Sequence, residues 1–299
     1  MANMNILNTL STPVILKGND RTGYRDPALI FANGMFYLYY TYNVGTEGDV
    51  FQHVAMSKSN DLRSWSSPCI LTPSDKSLNY SSPGNIIYFD GQWIMCLQTY
   101  PRPHGEKYGN QNSRVYLMRS RDLETWSEPE LIKVRGNDVS FEEMGRMIDP
   151  YLLEDKDERG KWWCFYKQNG VSFSYSYDLK NWTFCGSCEC GENVCVIVKD
   201  DNYLMFHSPA NGIGMKISRD IRNWNDHGQT TALGQNDWAW ASGRITAGFV
   251  LDMTANKDIG KYLLLFHGTP VKSGIRVYDT FASIGMAWSD DLINWEWHK

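Results

Sequence analysis

The chain lacks a long apolar run, an excess of basic charge and any cysteine pattern that would staple a small fold. No stretch of its 299 residues approaches the ~18–20 apolar residues of a membrane-spanning helix. It carries 29 Lys and Arg against 34 Asp and Glu, a formal net charge of −5. With no basic run, that balance argues against nucleic acid or an anionic membrane surface as a partner. The first residues, Met1-Ala2-Asn3-Met4, contain no basic segment leading into an apolar one. No signal peptide is therefore expected, and a cytoplasmic location is the expectation. The seven cysteines are odd in number and scattered, as reduced thiols are. Four of them, Cys185, Cys188, Cys190 and Cys195, lie close in sequence. Structural zinc sites use two well-separated ligand pairs, so these four read as small buried hydrophobes. A long amphipathic helical period is also missing, which leaves an all-β chain.

What is present is repetition. The phrase Ser-x-Asp-Leu/Ile-x-x-Trp occurs five times, starting at Ser59, Ser120, Ser176, Ser218 and Ser289 and ending at Trp65, Trp126, Trp182, Trp224 and Trp295. Units of about 60 residues suit four-stranded propeller blades, so residues 1–299 read as a single five-bladed β-propeller around a central channel. Each unit opens with an apolar strand, turns, and continues into an aromatic-rich strand. Asn33-Gly34 and Asp90-Gly91 supply the clearest hairpin turns, because a type I′ turn needs φ > 0 at both central positions. With five copies, the repeated phrase reads as a structural turn with packing between blades. The early segment Pro13 to Lys17 is expected to pair with the last unit and close the ring.

In a propeller the first strand of each blade lines the axis. Counting back from each first hairpin turn aligns Asp26, Ser82, Asp149, Glu192 and Arg244 at the starts of those strands. Three are carboxylates and one is a guanidinium. Gathering three acids costs electrostatic energy, and folds keep such a cluster where chemistry uses it. Carboxyls with pKa values pushed apart are what glycosidic hydrolysis requires.

Arg25-Asp26-Pro27 followed by Phe36-Tyr37-Leu38-Tyr39-Tyr40-Thr41, the Asp149-Pro150 step, Glu192 and the repeated phrase together resemble glycoside hydrolase family 43. That resemblance implies a five-bladed propeller glycosidase acting with inversion, mostly on arabinofuranosides and xylosides. It implies Asp26 as general base, Glu192 as general acid, and Asp149 as the residue that orients Glu192 and raises its pKa. It places Arg244 on sugar hydroxyls. Through His267 it allows a structural calcium in the channel, with no cofactor otherwise required; a hydrogen-bonded core histidine is the alternative. The second-blade step Ser82-Pro83-Gly84-Asn85 and the acid step Glu192-Asn193-Val194 depart from the family's usual Trp-Ala-Pro-Asp and Glu-Gly-Pro, and Glu189 is a rival acid. The related families 32 and 68 act with retention. A retaining or phosphorolytic enzyme, or a carbohydrate-binding propeller without catalysis, are the other readings.

Arg25, Trp93, Trp238 and Trp240 are further candidates for sugar contact, and residues 42–52, 100–113 and 133–147 are expected as loops walling the pocket. The expected partner is an oligosaccharide. The oligomeric state, the sugar and the linkage are not readable from the sequence.

Overall fold

The computed structural model describes residues 6–46, 49–271 and 280–298. Five antiparallel sheets are arranged as a five-bladed β-propeller, as the repeat spacing requires. The first strands of the five blades are Thr22–Ala32, a strand broken into Tyr80–Ser81 and Ile86–Phe89, Ile148–Glu154, Glu192–Lys199 and Arg244–Asp252. These strands touch one another from blade to blade and so surround the axis. Val14–Leu16 pairs with Ser283–Ser289 and supplies the outermost strand of the fifth blade. The ring is thereby closed by the N-terminal segment, which covers an edge that would otherwise be open.

The repeated phrase is a turn that also locks the blades together. The serine ends the third strand of its blade and donates to the Asp Oδ1 two residues on, at 2.9 Å in Ser59–Asp61 and 3.0 Å in Ser120–Asp122. That same oxygen accepts the next two free amides, as from Arg63 at 2.9 Å and Ser64 at 2.7 Å. The intervening Leu or Ile takes positive φ in every copy, 59° at Leu62 and 72° at Leu292. The tryptophan then meets the second strand of the preceding blade. Trp126 lies edge-on to Tyr39, Trp224 to Phe165 and Trp295 to Phe206. Tyr39 adds a hydrogen bond to the Leu123 carbonyl, so one blade's turn is fastened to its neighbour.

Near the axis the second and third blades come very close. The Asn85 side chain pairs with Leu152 like a short strand, donating to its carbonyl at 2.7 Å and accepting its amide at 2.9 Å. A Cβ on Gly84 would lie 1.5 Å from the Pro150 carbonyl oxygen. Asn85 is thus an inter-blade fastener, not part of a pocket wall. Gly84→Ala is expected to force the Asp149-Pro150 step aside at a cost of about 3 kcal/mol or more. Thermal unfolding should show a Tm lower by about 5–10 °C, and an unchanged Tm would mean the two backbones are not held this close.

Two expectations need correction. Residues 42–46 and 49–52 are not a loop: Met35–Thr46 and Asp49–Ser59 are paired antiparallel strands, with Asn43 opposite Gln52 and Val44 opposite Phe51. Alternation continues past Tyr42, with Asn43 and Gln52 buried, and this carries the ladder onward. Nor are the four neighbouring cysteines all buried: Cys185, Cys188 and Cys190 are half-buried and only Cys195 lies in the core. Cys195 is buried against Tyr151 and Val250, Cys190 rests on Met205, and all seven cysteines are free thiols. Among the described residues no group of three His, Cys, Asp or Glu side chains is placed to hold a metal, and no helix is long and apolar enough to cross a membrane.

Candidate active site

Each first strand carries one residue in the left-handed region near its start: Asp26, Ser82, Asp149, Asn193 and Ala247, with φ of 48°, 48°, 53°, 52° and 55°. In four blades the ladder to the second strand slips at this point, between Arg25 and Ala28, Ile148 and Tyr151, Glu192 and Cys195, and Thr246 and Phe249. In the second blade the strand breaks there instead. Four bulges and one strand break at one level turn the chain toward the axis and store backbone strain where the site lies. They also correct the alignment made from turn positions. Asn193 and Ala247, not Glu192 and Arg244, are the equivalents of Asp26 and Asp149. Glu192 stands one residue earlier and Arg244 three earlier: Asn193 lies seven residues before its turn at Asp200, as Asp26 lies seven before Asn33, and Asp252 is not a turn residue but still pairs with Tyr262, so counting back from it overshoots.

The bulge residue and its predecessor supply most of the walls of one pocket of about 360 Å³. It is lined by Arg25 and Asp26, Ser81, Ile148 and Asp149, and Glu192 and Asn193, with Gln52, Gln98 and Tyr100 completing it. Next to it, sharing Asp26, Asp149 and Asn193, a second cavity is walled by Pro27, Pro83, Pro150, Val194 and Phe249. The structure therefore brings Asp26, Asp149, Glu192 and Arg25 to one cavity, and Arg244 to its edge through Glu192.

The three carboxyls have different surroundings. Asp26 Oδ2 accepts the Thr41 hydroxyl at 2.7 Å. Asp149 is only 6% exposed, accepts the Ser82 hydroxyl on Oδ1 at 2.9 Å, and donates its backbone N–H to Gln98 Oε1. Glu192 Oε1 accepts Arg244 Nη2 at 3.0 Å. Burial, then the negative charges of Glu192 and Asp26, push the Asp149 carboxyl up to about 7, against weaker pulls downward from Ser82 and Arg146. The sequence reading expected a like-charge lift on Glu192; on Asp149, the carboxyl most withdrawn from water, such a lift is present but second to burial.

His267, 2% exposed, faces two donors: the Asp26 N–H at 3.1 Å from Nδ1 and the Arg25 Nε–H at 3.4 Å from Nε2. Burial, then the Arg25 and Arg244 charges, hold its pKa well below the usual histidine value. A neutral imidazole has one lone pair, and the shorter contact assigns it to Nδ1 with the proton on Nε2. No lone pair is left for a metal, and two guanidinium groups lie near. His267 does not fit a channel calcium; it holds the strained Asp26 backbone.

The three tryptophans are not brought to the pocket. Trp93 sits directly after the Asp90-Gly91 turn, paired with Tyr88, at the far end of its strand from Gln98. Trp238 and Trp240 stack on each other at 5.3 Å and on Phe266 at 5.8 and 5.9 Å. Their ring faces are spent on packing the fifth blade. Glu189 is exposed and lines neither cavity. Gln52 and Tyr100 lie in segments expected to wall the pocket, whereas Gln98 and Thr41 escaped sequence reading. Their signal was a polar residue within a second strand, visible only once the inward face is known.

The family model described as glycosyl hydrolases family 43 matches residues 15–180. A search of curated proteins gives no match. Among solved structures, an exo-1,5-α-L-arabinanase from a bovine ruminal metagenomic library aligns at 16% identity and a TM-score of 0.61, over 93% of this chain and 99% of that one. A GH43 β-1,3-galactosidase with galactodeoxynojirimycin aligns at 12% identity and 0.66, over 96% and 97%. The catalytic domain of a Coprinopsis cinerea GH62 α-L-arabinofuranosidase aligns at 14% identity and 0.64, over 92% and 94%. At these identities the likeness is one of fold.

Proposed function

The chain belongs to glycosyl hydrolases family 43 and is a glycosidase, and from that premise we propose that it cleaves arabinofuranosides or xylosides of plant-type oligosaccharides with inversion at the anomeric carbon. Asp26 is the general base that takes a proton from the attacking water. Glu192 is the general acid that protonates the departing oxygen. Asp149 stands beside both as the carboxyl that carries a proton near neutrality. Arg244 holds Glu192 until a sugar hydroxyl takes its place. The observation that carries this reading is the convergence of three differently surrounded carboxyls on one pocket. The choice of sugar is supported by two neighbours named for α-L-arabinose.

A panel of aryl α-L-arabinofuranoside, β-D-xyloside, β-D-galactoside and β-D-fructofuranoside tests the proposal. Turnover is expected on one of the first two, and proton NMR of the first-formed product should show the opposite anomer to the substrate. Exclusive turnover of the galactoside or fructofuranoside would overturn the sugar assignment. A retained anomer would overturn the mechanism, since retention uses carboxyls about 5–5.5 Å apart and inversion leaves room for water at about 6.5–9.5 Å.

A further inference from the structure

The geometry points to Thr41 and Ser82 as positioning residues that decide which oxygen of Asp26 and of Asp149 is free to react. The inference deepens the proposed function and rests on Asp26 being the base. The Ser82 backbone N–H donates to Thr41 Oγ1 at 2.7 Å. An amide can only donate, so the Thr41 hydroxyl proton is left for Asp26 Oδ2, also at 2.7 Å. Asp26 Oδ2 is thereby occupied. Oδ1 lies 3.6 Å from His267 Nδ1, but that nitrogen already accepts the Asp26 N–H. It has no proton to give, so Oδ1 is the oxygen left for water.

Ser82 acts in two directions at once because its backbone is left-handed, with φ of 48°. Its amide serves Thr41 in the first blade, while its hydroxyl donates to Asp149 Oδ1 at 2.9 Å in the third. Asp149 Oδ1 is then an acceptor, and any proton on that carboxyl is confined to Oδ2. Gln98 fixes the other side by accepting the Asp149 N–H. Thr41, Ser82, Gln98 and Asp149 are all buried, so water does not compete for these bonds. The run Asp26–Thr41–Ser82–Asp149 therefore crosses three blades, and the Ser82 amide sets the direction of its Thr41–Asp26 hydrogen bond.

The two halves are separable, because Ser82→Ala removes the hydroxyl and keeps the amide. Thr41→Val is expected to lower kcat by about 10- to 100-fold with KM within about twofold, the mark of misplaced chemistry rather than lost binding. Thr41→Ser should restore it. Ser82→Ala should leave the Thr41 link intact and move the Asp149 titration upward by about half a unit to one unit. That shift is read directly by ¹³C-carboxyl NMR, which needs no substrate, and again in the basic limb of kcat/KM on the aryl glycoside turned over. Assays run at least about 10 °C below each variant's Tm keep lost fold apart from lost position. A Thr41→Val enzyme with wild-type kcat beside an inactive Asp26→Asn would overturn the bridge and leave the base standing. An active Asp26→Asn would overturn the base assignment and with it this half of the inference. An Asp149 resonance that titrates unchanged in Ser82→Ala would overturn the other half.

Discussion

Glu192→Gln is expected to cut kcat/KM on an unactivated oligosaccharide by about 10³-fold or more, and on an aryl glycoside with a good leaving group by far less. The difference follows from what a general acid does. An alkoxide leaving from a sugar needs a proton as its bond breaks, whereas an aryl oxide of low basicity departs without one. Glutamine keeps the shape of Glu192 and can accept from Arg244, whose Nη2 lies 3.0 Å from Oε1, but it has no acid proton to give. The measurement is therefore a ratio: wild-type over variant kcat/KM on the two substrate types. Losses of equal size on both would assign Glu192 to substrate binding through Arg244 and would move the acid role elsewhere in the cluster.

The repeat made most of the fold legible. Ser-x-Asp-Leu/Ile-x-x-Trp is a local device, complete within seven residues, so each copy forms the same Ser–Asp turn in any blade. Asp26 and Asp149 were legible too, because an Asp-Pro step at the head of an inner strand needs no knowledge of distant residues. What escaped reading depended on contacts far apart in sequence. The register that sets Asn193 and Ala247, rather than Glu192 and Arg244, level with Asp26 exists in the pairing with a second strand, not in the strand itself. The stacking of Trp238 and Trp240 on Phe266 is equally non-local, and a tryptophan's hydrophobic area gives no hint whether a ring or a sugar will cover it. Gln98 reaches the pocket from the second strand of its blade, where a polar residue carries no mark of facing inward. The direction of the Ser82 amide, likewise, comes from a positive φ that serine does not advertise.

Asp149→Asn is expected to stabilise the protein at pH 8, to leave its stability close to wild type at pH 4, and to cost most of its activity. In the folded chain the Asp149 carboxyl is pushed up to about 7 by burial and by the charges of Glu192 and Asp26, from an ordinary value of 3.8. Below 3.8 both folded and unfolded chains hold the proton, and burial carries no charge penalty. Between 3.8 and 7 the unfolded chain has released the proton and the folded chain keeps it, so wild-type stability falls as pH rises through this window. Above 7 the penalty is complete, with an upper limit of about 4 kcal/mol for a shift of this size. Asparagine is neutral at every pH. Its carbonyl can accept the Ser82 hydroxyl, and its amide stands where the acid proton would be. Denaturant or thermal unfolding at pH 4, 6 and 8 should therefore show the variant's advantage growing with pH and levelling off above 7. A difference that stays flat across the series would mean that Asp149 pays no charge penalty in the fold. A gain in stability joined to a loss of turnover would mark Asp149 as a group kept for chemistry at the expense of stability. Its position in the pocket wall, 6% exposed beside two other carboxyls, has no structural advantage to offer in return.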